Sequence, residues 1–193
     1  MGQFAADEPD FYRGLSEHLG AQGMAAPDLD DCQAVKDMLD RCNAGYLTHG
    51  LADLRAIPSQ SIDLIWSQAV LEHIDRYQFG ETMQELRRIL RPEGVCSHRV
   101  DLTDHFCGSL NNLRFSEKLW ESRLFKSSGF YTNRIRYSEM VETFKRCGFS
   151  VDIVRADTWK TLPLPRRQLD PQFRQFETDD LRVSGFDVIL RPA

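Results

Sequence analysis

Hydrophobic residues along this chain recur with two different spacings, and the two spacings alternate. Short apolar runs predict strands at Tyr46–His49, Ile62–Ser67, Val95–Val100, Val151–Val154 and Phe186–Leu190. Apolar residues three and four apart predict helices near Pro9–Leu19, Val35–Cys42, Phe79–Leu90 and Met140–Cys147. Strands that alternate with helices indicate an α/β fold, a parallel sheet with helices on both faces. The last strand follows a long loop, so we expect an antiparallel edge strand there.

The ends of the predicted helices carry local signals. Asp30 or Asp31 is expected to cap the second helix, and Ser138 the last one, because their side chains accept hydrogen bonds from free backbone N–H groups. Gly148 is expected to end that last helix. The stretch 101–137 has a mixed pattern with one short predicted helix, and it is predicted to be an insertion.

Composition narrows the class of protein. The chain has 193 residues, of which 41% are hydrophobic, enough for a single domain over residues 1–193. No apolar run approaches the roughly 18 residues that a membrane span needs, and the N-terminus lacks the pattern of a signal peptide. The five cysteines form no CxxC pair, and the net charge is −5. We predict a cytoplasmic protein with no role for nucleic acid or membrane; its oligomeric state stays open.

Three motifs follow one another between Asp53 and Leu102. They are ADLRAIP, then the strand and loop SIDLIWSQAVLEHI, then the helix and strand ELRRILRPEGVCSHRVDL. In this order they resemble the middle of a class I S-adenosyl-L-methionine (SAM) dependent methyltransferase. GFSVDIVRADTW and VSGFDVILRP resemble the last two strands of that family.

The resemblance implies a Rossmann-like sheet in the order 3-2-1-4-5-7-6, with SAM as the cofactor. It implies that Asp53, beside Leu54, binds the adenine, because a carboxylate accepts a charge-assisted bond from the adenine amino group. It also places Ser67 and Gln68 near the sulfonium. The implied reaction moves a methyl group to a small-molecule acceptor. A sugar or other hydroxyl, a phenol and an amine all remain open.

Three residues are candidates for acid–base chemistry. His73 is suited to accept a proton from a hydroxyl, because an unperturbed imidazole titrates near pH 6.5. His98 and Asp101 lie in HRVDLTDH, at the end of the next strand, where the acceptor is expected. The alternative for His73 is a bond with Glu72 that only holds the loop. The spacing matches no zinc motif, and we predict no metal.

The stretch 101–137 is expected to cover the acceptor, because the family commonly uses the segment before its last helix in this way. Its candidate substrate-binding residues are Arg114, Arg134 and Asn112. A guanidinium suits a carboxylate or phosphate on the acceptor. A solvated surface loop is the alternative.

The start of the chain departs from the family pattern. The twelve glycines form no GxG turn, and the elements that resemble the family's first two strands are missing. We therefore expect an N-terminally truncated domain that alone binds SAM weakly or not at all. The alternative function is a non-catalytic, methyltransferase-like binding or scaffolding module. A nicotinamide-dependent enzyme is less well supported, because no Tyr-x-x-x-Lys pair occurs.

Overall fold

The computed structural model describes residues 9–29 and 32–193. The chain divides into two compact units, one up to Gly50 and one from Leu51 to Ala193. The described part of the first unit contains helices α1 (Pro9–Ala21) and α2 (Val35–Arg41). Among the described residues, no helix is both long and apolar enough to cross a membrane.

Two details of the first unit differ from the sequence-based predictions. The N-cap of α2 is Ala34, and the carboxylate of Asp37 accepts its backbone N–H at 3.0 Å. Asp30 and Asp31, the predicted caps, lie outside the described residues. The predicted strand Tyr46–His49 is wrong, because these residues have no regular structure and pair with none of the described strands. An apolar run forms a strand only where a neighbouring strand satisfies its backbone groups.

The second unit contains four strands and the remaining helices. The strands are β1 (Ile62–Gln68), β2 (Leu90–Asp101), β3 (Phe149–Thr158) and β4 (Val183–Pro192). The helices are α3 (Leu51–Ala56), α4 (Phe79–Ile89), α5 (Glu117–Trp120), α6 (Arg123–Lys126), α7 (Tyr137–Arg146), α8 (Pro171–Arg174) and α9 (Thr178–Arg182). Single 3₁₀ turns lie at Leu71–His73, Asn111–Arg114 and Arg166–Gln168.

The four strands form one mixed sheet in the order β1-β2-β4-β3. β1 and β2 are parallel, whereas β4 is antiparallel to both β2 and β3. This arrangement confirms the α/β fold class, and its order is the 4-5-7-6 part of the sheet that the resemblance implies. The last strand is antiparallel as predicted, but the prediction of an edge strand is wrong. β4 lies between two strands because its apolar residues Phe186, Val188 and Leu190 are all buried.

One face of the sheet carries the hydrophobic core. Met83 of α4 and Phe144 of α7 pack in the same buried cluster as Cys96 and Val100 of β2. Side chains two positions apart on a strand share a face, so this cluster defines the covered side. On the opposite face of β1, Leu64 and Trp66 are 60% and 66% exposed.

The ends of α7 show one wrong and one confirmed prediction. The predicted cap Ser138 lies inside the first turn, and the N-cap is Arg136. The Glu139 carboxylate accepts the backbone N–H of Arg136 at 2.9 Å, which satisfies a free donor at the helix start. Gly148 follows the helix with a φ of 82°, a left-handed conformation that glycine adopts without strain.

Candidate functional site

The candidate site lies where β1 and β2 end side by side. The two strands are parallel, with Gln68 in register with Arg99, so their carboxyl ends meet at one edge of the sheet. The Ala69 N–H donates to the Arg99 carbonyl at 2.9 Å and continues this pairing into the loop. Ligands of open α/β sheets bind in the crevice at such an edge.

A cavity of about 370 Å³ opens at this edge. Its lining includes Gln68, Asp101, Thr103 and Ser184, so it brings together two residues that the sequence predicted separately. Gly185 of β4 pairs with Asp101, and a Cβ there would lie 2.9 Å from the Val100 carbonyl oxygen. The close approach of β4 to β2 beside the cavity therefore requires glycine at this position.

The charged groups of the cavity wall are mostly acidic. Arg99 is the basic residue of the lining, and its Nη1 lies 3.3 Å from a carboxylate oxygen of Asp187. Its Nη2 also lies 3.7 Å from Asp157. Because carboxylates already surround Arg99 and Asp101 lies in the same wall, the cavity offers little attraction for an anionic ligand.

His73 is exposed beside the same edge, in the turn that follows β1. Its Nδ1 lies 2.9 Å from the carbonyl oxygen of Tyr131. A carbonyl only accepts, so Nδ1 carries the hydrogen in this bond and neutral His73 keeps its lone pair on Nε2. The ring also contacts His105 edge-on, with 4.8 Å between the ring centroids. His73 is therefore oriented by residues 101–137, called the covering stretch after its predicted role, and not by a bond to Glu72.

His98 and Ser67 occupy the covered face of the sheet. Ser67 Oγ and His98 Nδ1 are 2.7 Å apart, and His98 is buried. Burial lowers the pKa of His98 to about 4, so the imidazole is neutral. Both side chains therefore lie away from the cavity. The sequence pattern of β2 could have predicted this burial, because His98 lies two positions from both Cys96 and Val100 and so shares their buried face of the strand.

Asp53 and Leu54, predicted at the adenine, both lie on α3. Asp53 is half-buried in the first turn of the helix. Leu54 packs against the core cluster, and its carbonyl accepts a hydrogen bond from Arg88 at 3.0 Å. Their contact with a cofactor stays a prediction.

The three predicted substrate residues have different positions. Arg134 is buried and donates to the carbonyls of Asn112 and Phe115, at 3.3 and 2.6 Å. Burial lowers the pKa of Arg134 to about 10. Asn112 is also buried and donates to Thr132 Oγ1 at 3.0 Å, whereas Arg114 is exposed. Arg134 and Asn112 thus hold the covering stretch together, and contact of any of the three residues with an acceptor stays a prediction.

Sequence reasoning missed the group that fastens the covering stretch to the turn Leu71–His73. The Asn133 side chain donates to the carbonyls of Leu71 and Ile74, at 2.8 and 3.0 Å, and its backbone N–H donates to the Glu72 carbonyl at 2.7 Å. Nothing in the local pattern separates Asn133 from a solvated loop residue. These bonds fix the stretch beside the carboxyl end of β1.

An aromatic surface, also missed, lies on the covering stretch. Phe106 and Phe130 are stacked, with ring centroids 5.0 Å apart and planes at 16°. They are 42% and 47% exposed, so solvent reaches both rings. Their chain neighbours are His105 and Tyr131, the two residues that contact the His73 ring. No cluster of three metal-ligating side chains occurs in the described parts of the chain.

Comparison with known families agrees with this geometry. Residues 17–97 match the family model described as a methyltransferase domain. The matched segment includes Asp53, Gln68 and His73. The match overlaps the three motifs that carry the resemblance to class I methyltransferases.

Solved structures of low similarity include several methyltransferases. A SAM-dependent methyltransferase from Mesorhizobium loti shares 17% identity over 94% of this chain and 85% of its own, with a TM-score of 0.47. A SAM-dependent methyltransferase from Methanosarcina mazei shares 16% identity over 71% of this chain and 62% of its own, with a TM-score of 0.45. A chain from the complex of the Haloferax volcanii Trm112 methyltransferase activator with a methyltransferase shares 18% identity. The similarity covers 84% of this chain and 68% of that chain, with a TM-score of 0.41. These TM-scores are too low to assign an activity or partner. No curated protein matches the chain.

Proposed function

We propose that this domain forms the acceptor side of a SAM-dependent methyltransferase site and that its acceptor is a small, uncharged aromatic hydroxyl compound. The observation that carries the proposal is the cavity of about 370 Å³ at the carboxyl ends of β1 and β2. It contains Gln68, from the segment that matches the methyltransferase family, and Asp101 at the end of the adjacent strand.

Two of the described residues have side chains suited to contact one side of a bound SAM molecule. Gln68 offers an amide at the end of β1, and Asp53 offers a carboxylate for the adenine amino group. On the other side of β1 the described part of the chain supplies no paired strand. When bound, SAM supplies an electrophilic methyl group on its sulfonium. The domain's task is then to align the acceptor for an in-line displacement.

Asp101 is the proposed base, because its side chain lies in the cavity wall. A carboxylate there accepts the proton of a hydroxyl as the oxygen attacks. His73 is the second candidate, since its Nδ1 hydrogen bond leaves Nε2 able to accept a proton.

The surroundings of the site support an uncharged acceptor. Arg99 is paired with carboxylates, and Arg134 is buried among carbonyls and aromatic rings. The exposed rings of Phe106 and Phe130 offer the apolar surface on which a planar ring stacks. A phenol combines that ring with the hydroxyl that methyl transfer needs.

Titration with SAM, followed by amide NMR, tests the cofactor side. We expect weak binding by the 193-residue chain, with a dissociation constant of about 1 mM, because one side of the cofactor is contacted. The largest shifts should occur at Gln68, at Ala69 and around Asp53. Asp53→Asn should weaken binding about tenfold, because it removes a charge-assisted bond. The matched control is Asp63→Asn, which removes an exposed carboxylate paired with Arg91. Micromolar affinity, or shifts that avoid these residues, would contradict a one-sided site.

The second candidate function is a binding or scaffolding module without catalysis. The exposed side chains of Leu64 and Trp66 on the edge strand β1 favour it, since such an edge can pair with another chain. Incubation with SAM labelled in its methyl group and a panel of simple phenols separates the two. Label in the phenol supports the transferase. SAM-induced NMR shifts without label in any acceptor support the module.

A further inference from the structure

A second, much smaller cavity lies behind the turn Leu71–His73. Its volume is about 10 Å³, roughly the space that one water molecule occupies. Polar side chains dominate its lining: Glu72, Asp101, Thr103, Asn112, Arg134 and Arg136. The covering stretch supplies most of this wall, and Glu72 comes from the turn after β1.

Glu72 is the unusual member of this lining. It is 2% exposed, and neither of its carboxyl oxygens has a hydrogen-bond partner among the described residues. Asn112 Oδ1 and the Nε atoms of Arg134 and Arg136 are likewise unpaired there. A buried, unpartnered carboxylate is unfavourable, so a carboxyl in this place tends to keep its proton.

Asp101 joins the smaller cavity to the acceptor cavity. Asp101 and Thr103 are in the lining of both. The other charged groups that face Glu72 are Arg134 and Arg136, whose terminal N–H groups donate to backbone carbonyls. Burial raises the pKa of Glu72 to about 7, and the negative charge of Asp101 adds to the rise. The backbone N–H groups of Glu72 and Asp101 oppose it by electrostatic attraction, although neither makes a hydrogen bond of good geometry to the carboxyl.

We propose that Glu72 is a positioning residue that holds one proton behind Asp101, the proposed base in the wall of the acceptor cavity. The proposal rests on the proposed function, in which Asp101 accepts the acceptor's proton. In that step the sulfur–methyl bond breaks, the oxygen–methyl bond forms and the hydroxyl proton moves to Asp101. Of the two carboxyls, only Asp101 also lines the acceptor cavity, so it is the one that the hydroxyl proton can reach.

Carbon-13 NMR of the side-chain carboxyls tests the pair directly in the full chain and without SAM, so its failure is distinct from failure of the proposed function. The Glu72 signal, assigned by its loss in Glu72→Gln, should titrate with a midpoint near pH 7. In Asp101→Asn the midpoint should move down, because the neighbouring negative charge is gone. The exposed Glu93 provides the control, and Glu93→Gln should leave the midpoint unchanged. A midpoint in the ordinary range of about 4 to 5, or one that ignores Asp101→Asn, would overturn the proposal.

The pH dependence of unfolding gives an independent readout. Between the ordinary pKa of 4.5 and about 7, the folded state binds the Glu72 proton more tightly than the unfolded state. The ratio of folded to unfolded protein should therefore fall by up to about 300-fold as pH rises through this window. Above about pH 7 the effect of Glu72 on this ratio should no longer change with pH. Glu72→Gln should lack the fall and be more stable than the wild type at pH 8. Parallel curves for the two proteins would overturn the proposal.

Discussion

Arg136→Ala is expected to lower the free energy of unfolding by about 3–5 kcal/mol, because it removes a buried charged group that satisfies several backbone carbonyls. The Arg136 side chain is buried, and burial lowers its pKa to about 10. Its guanidinium donates to four carbonyl oxygens: Leu102 at 3.1 Å, Asp180 at 3.2 Å, Leu181 at 3.3 Å and Val183 at 2.7 Å. These carbonyls belong to the residue after β2, to α9 and to the start of β4, so one side chain joins three parts of the unit.

Two further variants make this prediction specific. Arg136→Lys keeps the charge but presents one ammonium group in place of a planar fork, so it should recover part of the loss and not all of it. Arg114→Ala, at an exposed position of the same stretch, should change stability by less than about 0.5 kcal/mol. Urea unfolding followed by tryptophan fluorescence measures all three. A loss of under 1 kcal/mol for Arg136→Ala would show that water replaces the guanidinium at these carbonyls.

The fold could be predicted where periodicity was strong. β2, α4 and α7 each have one apolar face that packs in the same core cluster, and β1 adds Ile62 and Ile65 to it, so the apolar spacing in the sequence predicted these elements. Gln68 and Asp101 could be placed together for a related reason. Each ends one of two adjacent parallel strands, and the ends of such strands lie at the same edge.

The polar side chains of the covering stretch could not be predicted in this way. Residues 131–136 are all buried, although they form neither helix nor strand, so no period tells inward from outward positions. Arg134 also has a φ of 58°, a left-handed conformation that its sequence does not signal. The sequence analysis predicted Arg134 at the acceptor; in the structure its guanidinium lies near the rings of Trp120 and Phe173. Burial of a charged group depends on long-range partners that a local pattern does not contain.

Trp120→Ala is expected to lower the free energy of local unfolding of the covering stretch by about 3–5 kcal/mol. Trp120 is fully buried, its ring stacks with Phe115 and Phe125, and its Nε1–H donates to the Thr132 carbonyl at 2.7 Å. Removing the indole leaves a cavity and an unpaired carbonyl next to Asn133, the residue that fastens the stretch to the turn after β1.

Amide hydrogen exchange locates this effect, because local opening exposes individual N–H groups. The Asn133 N–H, which donates to the Glu72 carbonyl, should exchange much faster in Trp120→Ala, while amides of β4 should change less. Trp120→Phe keeps most of the packing but loses the indole donor, so it should cost about 1–3 kcal/mol. Leu124→Ala, on the exposed surface of the neighbouring helix α6, should have little effect. If Trp120→Ala behaved like Leu124→Ala, the aromatic cluster would not be what holds the stretch beside the carboxyl end of β1. The aromatic surface of Phe106 and Phe130 would then need another support.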